Sequence, residues 1–276
     1  MEGPQISVII STYNQPSWLE KVLHGYSCQV FKEFEIIIAD DGSKVDTRTI
    51  IDNFRRKHQL KTTHLWQEDI GFRKTTILNK AILASQSKYL IFTDGDCIPR
   101  KDFLSVHLKY RKLKTALSGG YFKLNEDISN TITLQQISDQ SCFEKNWLIN
   151  KGQSKTFKMN KLTKSIRKAR FLNTITPTKA TFDGMNVSCW KDDILAVNGF
   201  DERMQYGAED REVGERMMNN GIKFLQIRYS AVCIHLYHER PYKNKKDLVK
   251  NKDIWKETKR AKSNYTPFGI VKSKKF

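Results

Sequence analysis

An α/β fold with a mixed, mostly parallel β-sheet flanked by helices is predicted from three observations. Apolar runs typical of buried strands alternate with helical stretches over the first 120 residues, as in parallel β-α-β units. The three main apolar runs each end in a polar cluster. The chain has 276 residues, of which 39% are hydrophobic, so it can bury the core of one large domain or of two tightly joined halves.

The first part of the chain supplies the alternating elements. The predicted strands cover residues 6–10, 35–39, 64–66 and 89–93, and the third is the weakest. Pro16 suits the first position of a helix and Asp46 can cap a second one. Further helices are predicted over residues 74–84 and 101–112.

Residues 125–177 interrupt this alternation, because they are polar, then basic, and expected to be largely helical. Met159, Leu162 and Ile166 have the spacing of one helix face, with basic residues around them. Such a helix could lie on a membrane surface or pack on the domain with a solvated basic face, and the sequence leaves both open.

Regular structure is expected to return at Phe182. Helices are predicted over residues 190–197 and 210–219, and short strands over residues 224–227 and 231–234.

The formal net charge of +18 is concentrated in two segments. Residues 145–182 contain ten Lys and Arg and no acid, and residues 240–276 contain thirteen against three acids. Each segment therefore carries +10, which leaves −2 for the rest of the chain. This distribution suits attraction to a polyanionic surface such as anionic lipid headgroups, although charge runs are often only solvated faces.

The cysteine pattern and the N-terminus give simpler expectations. Five cysteines without a CxxC pair argue against a disulfide framework or a zinc site. No apolar run approaches the roughly 20 residues that span a bilayer, and the start of the sequence lacks the features of a signal peptide. We expect a cytoplasmic protein that associates peripherally with the inner face of the membrane through its basic segments.

Polar clusters follow three successive predicted strands and should meet along one edge of the sheet. In parallel sheets, ligands bind beyond the carboxyl ends of the strands. The clusters are Thr12-Tyr13-Asn14, Asp40-Asp41 and Asp94-Gly95-Asp96.

Carboxylates in these clusters suit the binding of a nucleotide and a cation. Asp94 and Asp96, one residue apart, suit a hard divalent cation between diphosphate oxygens, although Asp-Gly is also a common turn. Asp40 can accept a hydrogen bond from a uracil ring or a ribose hydroxyl. Asp41 is expected to shape the turn instead.

A second pair of acids precedes a predicted helix. Transfer with inversion needs one base to take the proton of an acceptor hydroxyl, and Asp210 or Glu209 at a helix start could supply it. Simple N-capping by Asp210 is the alternative. His235 and His238 follow a strand, and one of them could donate a metal ligand.

Together these motifs resemble the family 2 glycosyltransferases, which have a glycosyltransferase A-type fold. The resemblance covers residues 6–241 and is closest to bacterial chondroitin- and hyaluronan-polymerase-type domains, and more distant to β-1,4-galactosyltransferases. The stretches that carry it are residues 6–14, 35–43, 67–73 with Asn79, 92–99, 184–187, 198–212 and 233–238.

The resemblance implies a role for each matching residue. Nucleotide binding would involve Thr12, Tyr13, Asn14, Asp40, Asp69, Arg73, Asn79, Asp94 and Gly95. Asp96 and His238 would hold Mn²⁺ or Mg²⁺, and whether His235 assists is open. Asp210 would be the general base, and Glu209, Tyr206 and Asn186 would bind the acceptor.

The implied function is inverting transfer from a nucleotide-sugar, with UDP favoured, to a saccharide or lipid-linked oligosaccharide in bacterial surface polysaccharide or lipopolysaccharide assembly. The implied division is a nucleotide-sugar-binding half (1–120), a basic helical insertion (121–181), an acceptor-binding and catalytic half (182–241) and a basic tail (242–276). Relatives often have Trp-Gly-Gly-Glu-Asp where this chain has Tyr206-Gly207-Ala208-Glu209-Asp210, so their donor and acceptor preferences do not transfer directly.

Two other function classes remain open. A sugar-nucleotide-binding protein without catalysis is less favoured because Asp96 and Asp210 are both present. A basic nucleic-acid-binding module would interleave basic and aromatic residues on one face. Here the basic segments flank an acidic site instead, so no nucleic-acid partner is expected.

Overall fold

A computed structural model describes residues 3–239 and 243–272. The boundary predicted between the acceptor-binding and catalytic half (182–241) and the basic tail (242–276) lies outside the described residues. Within the described ranges, no helix combines the length and apolar character needed to cross a bilayer.

The predicted strands form one side of a seven-stranded sheet. The strands are β1 (Ile6–Thr12), β2 (Phe34–Asp40), β3 (Thr62–Trp66), β4 (Tyr89–Asp94), β6 (Thr115–Ser118), β8 (Val187–Trp190) and β9 (Lys223–Gln226). Their order is β3-β2-β1-β4-β8-β6-β9. The first four are parallel, whereas β8 runs antiparallel to both of its neighbours, so the sheet is mixed and mostly parallel as predicted.

The register of the parallel strands aligns their polar ends. Thr12 pairs with Asp40, and Ser11 pairs with Asp94. The polar clusters after β1, β2 and β4 therefore meet at one sheet edge, as the sequence predicts.

A second, three-stranded sheet extends this edge. Its strands are β5 (Cys97–Pro99), β7 (Gly120–Lys123) and β10 (Val232–His235), in the order β5-β10-β7. His235 of β10 pairs with Cys97 of β5. This pairing brings a histidine from late in the chain beside the acidic cluster that follows β4.

Helices cover both faces of the main sheet. The helices are α1 (Pro16–Ser27), α2 (Val45–Lys57), α3 (Lys74–Ala84), α4 (Phe103–Tyr110), α5 (Glu126–Thr131), α6 (Leu134–Ser138), α7 (Lys145–Asn150), α8 (Ile166–Ile175), α9 (Lys191–Ala196), α10 (Glu209–Asn219) and α11 (Lys245–Arg260). Apolar residues of α1, α2 and α4 pack with Val8 and Ile10 on one face. Residues of α3, α9 and α10 pack with Ile9 on the other.

Three predicted helix starts need correction. Lys44, not Asp46, precedes α2, so Asp46 lies within its first turn. Residues 187–190 form strand β8, so the helix predicted from residue 190 begins at Lys191. Ala208 precedes α10, so Asp210 is not its N-cap.

The amphipathic helix expected around residues 159–166 does not form. Met159 and Leu162 lie in a short 3₁₀ helix, Phe157–Leu162, and both are buried in the core. Ile166 begins the separate helix α8 and is exposed. The apolar spacing is therefore satisfied by core packing of two residues, and not by one continuous helix face.

The segment expected to be a basic tail contains helix α11, which packs against α10. Asn251 and Thr258 on α11 are buried at this contact. After the helix, Ile270 N–H donates a hydrogen bond to Asn198 O, and Thr266 Oγ1 donates one to Asp201 Oδ2. The described part of this segment thus belongs to the folded body.

A buried ion pair anchors α10. Arg216 and Glu212 are 0% and 1% exposed, and Arg216 Nη2 lies 2.6 Å from Glu212 Oε2. Arg216 also donates to the carbonyl of Val197. Because each charge is removed from water, either one alone would be strongly unfavourable.

We expect Arg216→Met to lower the free energy of unfolding by about 3–5 kcal/mol, since it leaves Glu212 buried without its partner. Arg260→Met is the matched control, because Arg260 pairs with Glu257 on the exposed side of α11 and such pairs contribute at most about 1 kcal/mol. Urea unfolding of both variants checks this. Equal losses would show that burial of the Arg216 pair is unimportant.

Candidate active site

A single cleft of about 440 Å³ opens at the aligned strand ends. It lies between the ends of β1 and β4, the start of α10, and β10. Its polar lining includes Thr12, Tyr13, Asp41, Asp69, Lys74, Asp94, Asp96, Glu209, Asp210, His235 and His238. Most of the predicted site residues are therefore brought together, although they come from distant parts of the sequence.

Lys74 connects the two acidic groups of the cleft. Its Nζ donates to Asp94 Oδ1 at 2.7 Å, and the same oxygen accepts from Ser11 Oγ at 2.6 Å. Burial alone would lower the pKa of Lys74, but the carboxylates of Asp94, Asp210 and Glu209 raise it well above its usual value. Burial likewise opposes ionisation of Asp94, yet the Lys74 ammonium keeps the pKa of that carboxyl below its usual value.

The second acid of the Asp-Gly-Asp motif faces two histidines. His238 Nε2 lies 3.0 Å from Asp96 Oδ2, and His235 Nε2 lies 3.9 Å from the same oxygen. The two imidazole rings are stacked, with centroids 5.4 Å apart. The structure thus places His238 beside Asp96 as predicted, and adds His235 to the group.

The orientation of these histidines fits a metal site. Nδ1 of His235 lies 2.7 Å from Leu236 O, and Nδ1 of His238 lies 2.9 Å from Glu239 O. A carbonyl oxygen only accepts, so each Nδ1 donates and each Nε2 is directed at Asp96. Two imidazole nitrogens and a carboxylate that converge in this way are groups that can bind a divalent cation.

Cys97 completes the set of groups that could surround a metal ion, since its Sγ lies within 4.8 Å of ligand atoms of Asp96 and His235. Burial raises the pKa of this thiol well above its usual value, and its S–H donates to Asp96 Oδ1 at 3.2 Å. Cys97 therefore orients Asp96. The carboxylate oxygen of Asp96 and the imidazole nitrogens of the two histidines are donors that suit Mn²⁺ or Mg²⁺.

Glu209 and Asp210 begin α10 after a strained turn. Ala208 has φ 67°, a left-handed conformation that costs an L-residue roughly 1–2 kcal/mol. Gly207 N–H donates to Glu209 Oε2 at 2.7 Å, and Gly184 N–H donates to Asp210 Oδ2 at 3.0 Å. A Cβ at Gly184 would lie 2.7 Å from the Asp210 carboxylate, so only glycine allows this approach.

Burial makes both carboxylates weaker acids. Burial and the charge of Asp210 raise the pKa of Glu209 to about 7. Burial also raises the pKa of Asp210, against the opposing effect of Lys74. Asp210 Oδ1 is buried and has no hydrogen-bond partner among the residues that the structure describes. A raised pKa and an unpaired oxygen are what proton abstraction requires.

The other end of the cleft is polar and aromatic. Tyr13 Oη donates to Asp69 Oδ2 at 2.8 Å, and Thr12 and Gly95 also belong to the lining. Phe72 and Tyr206 form an edge-to-face pair with ring centroids 5.9 Å apart, and both line the cleft. The predicted residues Thr12, Tyr13, Asp69, Asp94, Gly95 and Tyr206 all line the cleft.

The structure places Asp40 and Asp41 differently from the expectation. Asp40 is 1% exposed, accepts from Ser43 N–H and lies 2.9 Å from His64 Nε2, so it shapes the turn. Asp41 lines the cleft and accepts from Gln67 Nε2 and Arg73 N–H. Adjacent residues on a strand point in opposite directions, and the sequence did not reveal which faced the cleft.

Four other predicted residues lie outside the lining of the cleft. Asn79 is buried and exchanges hydrogen bonds with the backbone of Phe200, and Asn14 Oδ1 accepts from Lys44 N–H. Arg73 donates to Glu68 O through its side chain. These three side chains bond to the backbone of Phe200, Lys44 and Glu68 and lie outside the lining of the cleft.

Asn186 was expected to bind the acceptor, but it is 1% exposed. Its Nδ2 donates to Gly120 O and Ala231 O, and its Oδ1 lies 3.0 Å from His107 Nε2. Asn186 therefore joins the two sheets.

Sequence reasoning missed Lys74 and Asp183 as parts of the charged centre. Burial and the carboxylates of Asp210 and Asp94 raise the pKa of Asp183 to about 6. Lys74 was visible only as a helix start, and one lysine among many basic residues carries no distinguishing signal.

The high pKa of Glu209 predicts a pH-dependent effect of its removal. A carboxyl whose pKa is higher in the folded than in the unfolded state lowers the free energy of unfolding once the pH exceeds the unfolded-state pKa of about 4.5. This loss is complete above a pH of about 7, the folded-state pKa of Glu209. We expect Glu209→Gln to increase the free energy of unfolding by about 1–3 kcal/mol at pH 8, and to have little effect at pH 4.

Denaturant unfolding at both pH values measures this difference. Glu20→Gln makes the same chemical change on the exposed side of α1 and serves as the control. A Glu209→Gln protein no more stable than wild type at pH 8 would contradict the prediction.

Comparison with protein families gives two matches along the chain. The model described as glycosyl transferase family 2 matches residues 7–171. The model described as the N-terminal domain of galactosyltransferase matches residues 167–239.

Among curated relatives, validoxylamine A glucosyltransferase of Streptomyces hygroscopicus subsp. jinggangensis is 26% identical, over 91% of this chain and 60% of that protein. Chondroitin synthase of Escherichia coli is 26% identical, over 90% of this chain and 37% of that protein. The chain thus spans about 60% or less of the length of these two relatives.

Solved structures share the fold. A mannosyltransferase from Pyrobaculum calidifontis, in complex with GDP-Man and Mn²⁺, has a TM-score of 0.59 at 19% identity, over 87% of this chain and 59% of that one. S. aureus TarS 1-349 in complex with UDP-GlcNAc has a TM-score of 0.58 at 18% identity, over 86% and 60%. The fold is the glycosyltransferase A-type fold, and with a family model matched over more than half of its length, the chain belongs to glycosyl transferase family 2.

Proposed function

We propose that this glycosyltransferase transfers a sugar with inversion from a UDP-sugar to a saccharide or lipid-linked oligosaccharide acceptor. The observation that carries the proposal is the arrangement of one cleft, with Asp94 and Asp96 at one end and Glu209 and Asp210 at the start of α10. An inverting displacement needs one group to hold the leaving diphosphate and one base on the acceptor side.

Asp210 acts as the base in this scheme. The acceptor hydroxyl oxygen bonds to the anomeric carbon while the bond from that carbon to the diphosphate oxygen breaks, and the hydroxyl proton passes to Asp210 Oδ1. This oxygen is unpaired among the described residues, and burial raises the pKa of the carboxyl. Gly184 N–H holds the other oxygen and fixes the orientation.

Glu209 binds the acceptor sugar beside the base, and Tyr206 offers it an aromatic face. Both residues line the cleft. With a pKa of about 7, Glu209 can donate or accept a hydrogen bond to a sugar hydroxyl near neutral pH.

The opposite end of the cleft holds the nucleotide. Thr12, Tyr13 and Asp69 contact the nucleoside, with Asp41 in the position expected for Asp40. Asp96 and His238, with His235 adjacent, would hold Mn²⁺ or Mg²⁺, which neutralises charge developing on the leaving diphosphate. Lys74, 2.7 Å from Asp94, adds a fixed positive charge there. UDP is favoured by the resemblance to family 2 enzymes; S. aureus TarS, which shares the fold, is in complex with UDP-GlcNAc and with UDP, and the Pyrobaculum mannosyltransferase is in complex with GDP-Man.

We propose that this enzyme acts in bacterial surface polysaccharide or lipopolysaccharide assembly, at the inner face of the cytoplasmic membrane. Helix α8 holds it at the membrane surface. Phe171 and Ile175 are 62% and 53% exposed, one turn apart on this helix. Arg167 and Lys168 flank them, whereas Leu172 packs inward. Exposed apolar residues within a basic face suit an anionic lipid surface.

Asp210→Asn should abolish transfer while donor binding is retained, because the amide cannot accept the proton. The experiment first screens nucleotide sugars by thermal shift and donor hydrolysis, with and without Mn²⁺, and then compares variant and wild type on the donor that responds. Asp253→Asn, on the exposed face of α11, is the matched control. Transfer by Asp210→Asn at a comparable rate would place the base elsewhere.

If no donor stabilises the wild-type protein in the presence of metal, the assignment of Asp96 and His238 fails. Salt-dependent binding of an oligonucleotide in that case would favour the basic nucleic-acid-binding alternative.

We expect wild-type protein to co-sediment with phosphatidylglycerol-containing vesicles at physiological salt, and not with neutral vesicles. Phe171→Ala/Ile175→Ala should lower the partition constant at least about tenfold, since each large apolar side chain contributes on the order of 1.5–3 kcal/mol when buried. Val30→Ala/Val45→Ala removes two exposed apolar residues from other surfaces and should bind normally. Failure of wild type to sediment, or equal binding by both double variants, refutes this role of α8.

A further inference from the structure

Helix α11 lies beyond the residues that match either family model, which end at residue 239. It nevertheless packs against α10, the helix that carries Glu209 and Asp210. Most of its surface is basic and solvated, but Asn251 is 0% exposed. A fully buried amide on an otherwise polar helix indicates a specific contact.

That contact is with the turn before the acidic pair. Asn251 Nδ2 donates to Gln205 O at 3.0 Å and to Tyr206 O at 3.2 Å. One amide group thus holds two successive carbonyls of the segment that lines the cleft.

Leu248, one helical turn earlier, packs on the next residue of this segment. Gly207 has φ 101°, and a Cβ there would lie 2.4 Å from Leu248 Cδ2. Leu248 therefore lies directly against the backbone of Gly207, whose N–H donates to Glu209 Oε2. Gly207 therefore links Leu248 of α11 to the carboxylate of Glu209, the candidate acceptor-binding residue.

The turn is strained. Ala208 is left-handed at φ 67°, and its methyl side chain makes no capping hydrogen bond to the start of α10. Strained backbone persists only where the surroundings hold it in place. Phe72 contacts the ring of Tyr206, whereas Asn251 and Leu248 of α11 contact the backbone of the turn.

We propose that Asn251 is a positioning residue, through which α11 holds the Gln205–Ala208 turn so that Glu209 and Asp210 face the cleft. This inference rests on the proposed function of these two carboxylates. It assigns to the segment outside the family-matched region a part in assembling the acceptor side of the site.

The same helix provides a matched control. Thr258 Oγ1 donates to Glu212 Oε1 at 2.9 Å, so Thr258 joins α11 to the body of α10 without touching the turn. Thr258→Val should loosen the helix contact to a similar extent as Asn251→Ala while leaving the turn in place. Leu248→Ala is a second test variant, which removes packing on Gly207 from a partly exposed position.

The experiment compares three properties of these variants. They are kcat for sugar transfer from the nucleotide sugar that responds in the screen, the affinity for UDP, and hydrogen–deuterium exchange of a peptide covering residues 203–211. Asn251→Ala should lower kcat at least tenfold and speed exchange of this peptide at least tenfold, with UDP affinity within twofold of wild type. Leu248→Ala should shift kcat and exchange in the same direction. Thr258→Val should keep kcat within twofold and leave exchange of this peptide unchanged.

Unchanged exchange and kcat in Asn251→Ala would overturn the proposal, as would equal losses in Asn251→Ala and Thr258→Val. If Asn251→Ala does not fold, as a lost UDP response would show, Leu248→Ala decides by the same criteria. A wild-type protein that transfers no sugar would refute the proposed function, while the exchange data would still show whether α11 holds the turn.

Discussion

The electrostatic attraction between the Lys74 ammonium group and the surrounding carboxylates is the interaction on which the rest of the cleft depends. The structure gathers Asp94, Glu209 and Asp210 around one partly buried ammonium group, and all three raise its pKa. Carboxylates removed from water repel one another and tend to take up protons. Lys74 keeps the pKa of Asp94 below its usual value, whereas Glu209 and Asp210 at the start of α10 retain raised pKa values. One cation therefore helps to separate two kinds of acidic chemistry within a single cleft.

Topology explains how groups so far apart in sequence reach this charge. Parallel pairing of β1, β2 and β4 fixes the polar strand ends at one edge. The antiparallel pair of β10 and β5 then brings His235 to Cys97, beside Asp96. Within α10, Arg216 and Glu212 form a buried ion pair, and the hydrogen bond from Arg216 to Val197 O fixes the helix against the same body. Each part of the site is thus placed by backbone pairing or buried contacts of the scaffold, which keeps the side chains in defined positions.

The start of α10 is the strained part of the cleft. It combines a left-handed Ala208, two buried carboxylates and a carboxylate oxygen without a partner among the described residues. Such features reduce stability and are retained where the surrounding structure and the function require them. Support from α11 fits this view, because a strained turn needs contacts from a separate element.

The sequence by itself determined the α/β class, the four parallel strands and the acids at their ends, because apolar periodicity and turn residues are local signals. It also identified the Asp210 and His238 motifs, through the combined spacing of several short patterns. Only the tertiary structure decided that Asp41 and not Asp40 faces the cleft. It alone showed that Asn79 and Asn186 are buried and bond to backbone carbonyls of distant segments. It also placed Met159 and Leu162 in the core. It alone showed Lys74 among the carboxylates and α11 behind Tyr206. These properties depend on which side chains meet across the fold, and a linear pattern does not record contacts between residues that are distant in the chain.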